Sequence, residues 1–327
     1  MFRTVAFIAC VLVLAGTGAF AAVEHLPDEQ TMSSEQREML DTDSARKLML
    51  DLINKDRASV GAPPVVRDET ATKAGQLHSD EMAMNGYISH WTMDGRKPDQ
   101  RYCEAGGRDS VAENAFMSSE SDADDTGEAR TIPLHSVQVF KRYELEKMES
   151  DFFNEKPPYD GHRKNIIDPA HTAVGIGLSF ASSFGMGSRF GCTQEFINHY
   201  GEFGELPQSV KIGDKLHVTG TLNAGVHLKS IDFRAEELPK PMSVKELNKT
   251  GGYSIPDKTT SNLFVDPTQT NDPIKVVSSS GREEITADVS IDDSFVAGLY
   301  YMCLWANVDG HSDEVLISCR TFTVAEH

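Results

Sequence analysis

The sequence is poor in basic residues and lacks a long apolar run outside its first residues. It has 31 Lys and Arg against 50 Asp and Glu, a formal net charge of −19. Because nucleic-acid binding relies on clustered Lys and Arg, this balance excludes nucleic acid as a partner. After the N-terminus no segment approaches the roughly 20 apolar residues that a membrane-spanning helix needs, so no transmembrane segment is expected. We interpret the excess of acid as a source of solubility.

Residues 1–21 have the features of a secretory signal peptide. Arg3 supplies the positive charge, Val5 to Leu14 form the apolar centre, and Ala19-Phe20-Ala21 is a small-residue cleavage site. The leader predicts a secreted, periplasmic or extracellular protein. The polar, acidic residues 22–43 are expected to form a flexible arm.

Cysteine is also scarce, and one of the five cysteines, Cys10, would leave with the leader. The remaining four are Cys103, Cys192, Cys303 and Cys319. In an oxidising compartment they most simply form two disulfides, and of the three connectivities we favour one bridge within each half of the chain. If a hairpin is symmetric about His311, Cys303 and Cys319 fall opposite each other, which suits a disulfide.

Hydrophobic periodicity predicts helices in the first half of the chain. Ala45, Leu48, Met49, Leu52 and Ile53 repeat at helical spacing, and further helices are predicted over residues 69–85 and 136–155. The stretch 89–133 between them is expected to be irregular, with its acidic run 118–128 a solvated insertion. Strands over 173–180 and 189–197 follow, so helices are expected to cover an antiparallel sheet.

The second half is predicted to be all β. Ile285, Ala287, Val289 and Ile291 alternate with polar residues, as in a half-buried strand. Further strands are predicted over 210–222, 228–233, 299–308 and 315–324. Because the mature chain exceeds what one core usually covers, two domains are expected, 44–198 and 209–327, joined by a linker over 199–208. The fold class is α+β, with the second domain a small immunoglobulin-like sandwich.

Several short motifs occur in a fixed order in the first domain. Ser89-His90 comes first, Glu113-Asn114 follows, and Phe152-Phe153-Asn154-Glu155 precedes Gly161-His162-Arg163. Together with the helices before them, these motifs resemble the CAP superfamily of cysteine-rich secretory, pathogenesis-related and venom-allergen proteins, in its bacterial branch. The resemblance covers residues 44–198 and implies an α-β-α sandwich.

The resemblance also implies a site, because family members bring a His, a Glu, a Glu and a His into one surface cleft. By position these are His90, Glu113, Glu155 and His162, which are the candidate catalytic residues. Glu155 is the nearest counterpart of an acid that follows Trp in the family, with Phe in place of Trp here. Glu149 and Asp151 are alternatives. The resemblance further implies that His90 and His162 hold zinc or another divalent cation.

Two imidazoles facing two carboxylates serve recognition or catalysis, and we favour recognition over turnover. The leading hypothesis is a secreted protein that binds a lipid or another small apolar ligand, or an interaction protein whose partner is cell-envelope material or an extracellular protein. One alternative is a metal-dependent hydrolase of peptide or cell-envelope material, with Glu113 as general base. Another is adhesion through residues 206–327.

Overall fold

The computed structural model describes residues 33–325, apart from 121–130, 185–186, 267 and 269–273. The predicted signal peptide, the first half of the acidic arm (22–32) and most of the acidic run 118–128 lie outside the described residues. Within the described ranges, no helix combines the length and apolar character needed to cross a membrane.

The first half of the chain is built from helices around a four-stranded sheet. The helices are α1 (Thr42–Ser59), α2 (Glu69–Asn85), α3 (Pro98–Ala105), α4 (Arg142–Phe153) and α5 (Gly161–Ile167). The strands are β1 (Met39–Asp41), β2 (Val66–Arg67), β3 (Ser110–Glu120), β4 (Val139–Lys141), β5 (Ala173–Ser183) and β6 (Gly187–Asn198). The sheet has the order β2-β5-β6-β3, so β3 is an edge strand, and β1 pairs separately with β4.

Local sequence explains where α1 and α2 begin. The Asp41 carboxylate accepts from Ser44 N at 2.8 Å, and the Asp68 carboxylate accepts from Ala71 N at 2.6 Å, so each helix has an acidic N-cap. Gly175 in β5 allows α2 to pack directly on the sheet, because a Cβ there would lie 2.2 Å from the carbonyl carbon of Ala71.

Helices cover both faces of the sheet. On one face α1 and α4 bury Met49, Ile53 and Leu145 against the strand residues Ile176 and Phe196. On the other face α2 packs against β5 and β6, and α3 packs against α2 and β3. The predicted order of layers, helix, sheet and helix, is confirmed.

The structure differs from the sequence prediction between residues 89 and 133, where it contains α3 and β3. Both elements bury polar groups, including Asp99, Arg101, Glu113 and Asn114. Hydropathy patterns detect elements by their apolar residues, so these two escaped detection. The predicted helix 136–155 also begins later, at Arg142, because residues 139–141 pair with β1 as a strand.

The second half consists of two sheets that share one hydrophobic core. Its strands are β7 (Gly201–Phe203), β8 (Ser209–Lys211), β9 (Lys215–Leu222), β10 (Val226–Glu236), β11 (Thr259–Phe264), β12 (Lys275–Ser279), β13 (Arg282–Ser290), β14 (Gly298–Val308) and β15 (Val315–Ala325). The sheet orders are β11-β10-β14-β15-β8 and β12-β13-β9-β7. A short helix, α6 (Val244–Leu247), lies between β10 and β11. The immunoglobulin-like character of this half stays a prediction. Strand β7 lies inside the predicted linker and pairs with β9.

The four described cysteines are free thiols in the structure. Cys303 and Cys319 are directly opposite in the β14–β15 register, with their Sγ atoms 3.2 Å apart. The structure does not form the first-half bridge. Cys103 lies against β15, with its Sγ 3.4 Å from Thr321 N, whereas Cys192 packs into the core beneath α1 and α4.

The cross-strand pair leads to a prediction for the protein under oxidising conditions. We expect peptide mapping without reductant to find Cys303 linked to Cys319, because oxidation needs only a small approach of two facing sulfurs. Cys303→Ser should lower the free energy of unfolding by about 3 kcal/mol, as expected for a loop of this length. Cys192→Ser serves as the control and should leave the cross-strand link intact. Recovery of all four cysteines as thiols from oxidised protein would contradict this prediction.

Candidate functional site

The candidate site is organised around the edge strand β3, where Glu113 and Asn114 are consecutive. Successive side chains of a strand point to opposite faces, so these two project on either side of the sheet. Glu113 contacts His90, and Asn114 contacts the backbone of His162. The two predicted histidines therefore flank the same point of one strand.

The His90 side of the site is a buried ion-pair network. His90 Nδ1 lies 2.8 Å from Glu113 Oε1, and the Arg101 guanidinium contacts the other oxygen of that carboxylate. Arg101 Nη1 also donates to His90 O at 2.8 Å. Glu113 has no exposed surface. Arg101 thus binds both members of the His90–Glu113 pair from α3.

Two buried carboxylates at this point take different charge states. Burial raises the pKa of Glu113, but the Arg101 guanidinium and the neighbouring histidines outweigh it and hold that pKa well below its usual range. Glu195 faces Glu113 across the β3–β6 pairing, and burial together with the Glu113 charge raises its pKa well above the ordinary value. We infer that Glu113 is ionised and Glu195 protonated at neutral pH.

His78 on α2 supports this network by binding the backbone next to His90. Its Nε2 donates to Ser89 O at 2.8 Å, directly before His90 in the chain. Burial lowers the pKa of His78 to about 3, so the ring is neutral. His78 is thus a packed, hydrogen-bonded core residue.

The His162 side is more open and pairs with Glu155. His162 Nδ1 lies 2.5 Å from Glu155 Oε1, and His162 N donates to Glu155 Oε2 at 3.0 Å. The imidazole stacks on Phe152, with ring centroids 4.1 Å apart. Glu155 therefore both orients the imidazole and binds the first turn of α5.

Buried amides connect the two sides. Asn114 Nδ2 donates to His162 O at 3.1 Å and to Gln194 Oε1 at 2.9 Å. Asn165 on α5 donates to Asn114 Oδ1 at 2.8 Å and to Glu113 O at 3.3 Å. A shift of α5 relative to β3 would therefore disturb both histidines.

The structure distinguishes among the three acids proposed to face His162. Glu155 contacts the imidazole. Glu149 is buried instead and accepts from Gln194 Nε2, which links it to the site only through Asn114. Asp151 pairs with Lys147 on the surface of α4.

The sequence did not identify two residues that contact the His90–Glu113 pair, Arg101 and Tyr253. Arg101 stands close to the His90 motif in sequence, and a basic residue there could have been weighed as a counter-ion for Glu113. Tyr253 comes from the second half of the chain. Its hydroxyl accepts from Glu113 N at 2.9 Å, and its ring centroid lies 4.8 Å from that of His90. No local pattern marks Tyr253.

The donor set at the site is small. Among the residues that the structure describes, no group of three or more His, Cys, Asp and Glu side chains is arranged to hold a metal ion. The Ser89 hydroxyl lies 2.8 Å from Thr250 Oγ1 and accepts from Trp91 N, and the Ser89 carbonyl accepts from His78 Nε2. The arrangement orients the two imidazoles through the carboxylates of Glu113 and Glu155.

Comparisons with known proteins identify a family for this region. Residues 50–196 match the cysteine-rich secretory protein family, CAP. No curated protein matches the chain. An extracellular protein with an SCP domain from Bacillus anthracis is similar in structure at 20% identity, over 49% of this chain and 44% of that protein, with a TM-score of 0.33.

Two further solved structures are similar over part of the chain. An outer surface protein of Borrelia burgdorferi is 15% identical over 49% of this chain and 98% of its own, with a TM-score of 0.33. Murine CRIg is 13% identical over 39% of this chain and 98% of its own, with a TM-score of 0.21. At these TM-scores the three structures add nothing to the family match.

The buried acid beside the site provides a pH-dependent prediction. Burial raises the pKa of Glu149 to about 8. The folded protein therefore keeps a proton that the unfolded chain loses near its ordinary pKa, so this group costs stability increasingly as pH rises from about 4.5 to about 8. Glu149→Gln keeps the neutral shape. Its unfolding free energy relative to wild type should rise with pH across this range, by up to about 1.4 kcal/mol per unit.

Urea denaturation at pH 5, 6, 7 and 8 measures this difference. Glu146→Gln, on the same helix but partly exposed, is the matched control and should show no comparable trend. A wild-type-to-variant difference that is constant with pH would mean that Glu149 ionises in the same range in the folded and unfolded chains.

Proposed function

Residues 50–196 of this chain are a CAP domain of the cysteine-rich secretory protein family, and on that premise we propose that the protein binds a ligand at the His90/His162 cleft without transforming it. The carrying observation is the state of Glu113. This carboxylate is fully buried and held by Arg101 and His90. Its lowered pKa makes it a weak base at neutral pH, so it is poorly suited to activate water.

The aromatic surroundings of the two imidazoles indicate the class of ligand. His162 stacks on Phe152, and His90 lies against Tyr253. A cleft with aromatic walls and a few oriented polar atoms suits a small, largely apolar ligand with a polar head group. We therefore propose a lipid as the ligand, and the signal-peptide features of residues 1–21 lead us to propose an extracellular or surface location.

A lipid-binding experiment tests this proposal with the full mature chain. Because the protein is strongly acidic, zwitterionic phosphatidylcholine vesicles avoid charge repulsion. We expect co-sedimentation, and His90→Ala/His162→Ala should weaken it by about tenfold or more, since two hydrogen-bonding groups are lost. His135→Ala/His217→Ala, which removes two histidines outside the cleft, should bind like wild type. Equal binding by both double variants would reject the cleft as the lipid site.

A divalent cation is the second candidate ligand, supported by the carboxylate at Nδ1 of each imidazole. This arrangement places the proton on Nδ1 and leaves Nε2 as the basic nitrogen, which is the pattern found for metal-bound histidines. His90 and His162 would hold the ion, with Glu113 and Glu155 orienting them. With two protein donors, the cation would polarise bound water or a ligand head group.

Zinc titration by calorimetry tests this second candidate. We expect one site that disappears in His162→Ala. Glu155→Gln should weaken zinc binding by about tenfold, because it removes the charge that supports the imidazole. Glu202→Gln, an exposed acid of the second half, is the control and should leave binding unchanged. Zinc affinity that is the same in His162→Ala and wild type would exclude this site.

A further inference from the structure

One segment of the second half lies on the first half beside His90. Residues 240–253, here called the bridging segment, run between β10 and β11 and include α6. Met242 N donates to Met93 O at 2.7 Å, and Ile88 N donates to Asn248 Oδ1 at 2.9 Å. These hydrogen bonds lie on both sides of His90 in sequence.

Apolar packing holds the same segment in place. Leu247 on α6 is fully buried and packs in one cluster with Met82, Tyr87 and Ala115 of the first half. Burying the Leu247 side chain contributes favourable free energy to folding. A solvent-exposed contact between two surfaces would not provide this contribution. The bridging segment is therefore part of the folded core.

The first-half loop that contains Gly95 leaves room for the bridging segment. Gly95 has a φ of +87°, and a Cβ at this position would lie 2.3 Å from Lys240 O. A side chain at residue 95 would both strain the backbone and displace the segment. The first half thus carries a glycine at a point where the backbone of the second half approaches closely.

The last residue of the bridging segment reaches the site itself. Because β3 is an edge strand, the outward N–H of Glu113 has no neighbouring strand to accept it. Tyr253 Oη accepts a hydrogen bond from this N–H, with the nitrogen and oxygen 2.9 Å apart. The centroids of the phenol ring and the His90 imidazole are 4.8 Å apart. The hydroxyl and the ring make separate contacts with the two members of the His90–Glu113 pair.

The two histidines consequently differ in access. The side chain of His90 is 11% exposed, whereas that of His162 is 24% exposed. Tyr253 and the rest of the bridging segment lie on the His90 side, whereas His162 contacts Glu155, Asn114 and Phe152 of the first half.

We propose that the ligand cleft is composite: the bridging segment forms its wall on the His90 side, and Tyr253 is the residue that determines which ligands reach His90. This inference rests on the proposed function for its ligand. A head group that binds His162 is unaffected by the wall, whereas one that must also contact His90 has to fit beside the phenol.

Histidine modification tests the wall without any ligand. Full-length mature protein is treated with diethyl pyrocarbonate, and the modification rates of His90 and His162 are measured by peptide mass spectrometry, relative to the exposed His217. We expect His90 to react more slowly than His162 in wild type. Tyr253→Ala should raise the His90 rate about threefold or more and leave the His162 rate unchanged, since only the His90 side loses cover. Lys245→Ala, an exposed change in the same segment, should alter neither rate.

A second variant separates the ring from the hydroxyl and keeps the test valid if Tyr253→Ala does not fold. Tyr253→Phe retains the ring, so His90 should stay slow, but the Glu113 amide should exchange its hydrogen about three- to tenfold faster because its acceptor is gone. Equal His90 rates in wild type and folded Tyr253→Ala, or unchanged exchange of the Glu113 amide in Tyr253→Phe, would overturn the inference.

The vesicle assay separates this inference from the proposed function. If Tyr253→Ala unmasks His90 while neither wild type nor variant binds phosphatidylcholine, the wall is supported and the lipid proposal fails. If wild type binds lipid and His90 is not unmasked, the lipid proposal holds and the composite cleft is rejected.

Discussion

The structure of the site depends on the burial of one ionised carboxylate, Glu113. A buried charge is very costly unless it is paired and hydrogen-bonded, so the surrounding elements have to supply partners in fixed positions. Arg101 comes from α3 and His90 from the loop before it, and both bind the carboxylate. Tyr253 satisfies the backbone N–H of the same residue. Glu113 is therefore the point at which the loop, the helix α3, the edge strand β3 and the second half meet, because its buried charge requires partners in fixed positions.

This constraint also separates the roles of neighbouring acids. Glu113 is ionised and occupied, and Glu195 opposite it is protonated, so one network holds a single negative charge where two carboxylates lie together. Glu155 has a different role, since it is partly exposed and its carboxylate contacts the first turn of α5. The His90 side is consequently the more buried of the two, and the His162 side is more exposed to solvent.

The two halves of the chain are joined by more than a connecting segment. Besides the bridging segment, Ser318 Oγ donates to Arg108 O at 2.6 Å, and Asn198 Nδ2 donates to Leu316 O at 2.9 Å. These bonds connect β15 to the residues just before β3 and to the last residue of β6. The second half thus contacts one end of the sheet that contains Glu113 and supports the sheet there. It also covers His90 on the other side, through Tyr253. Its role in the site is structural as well as covering.

The sequence by itself determined the elements whose apolar residues recur regularly. The helix predicted over 69–85 matches α2, and the strands predicted over 299–308 and 315–324 match β14 and β15 closely. The ordered motifs also named His90, Glu113, Glu155 and His162. Only the tertiary structure revealed α3 and β3, the pairing of Arg101 with Glu113, and the arrival of Tyr253. Hydropathy records which residues leave water within one element, whereas a buried polar network is defined by partners that are distant along the chain and meet only in the fold.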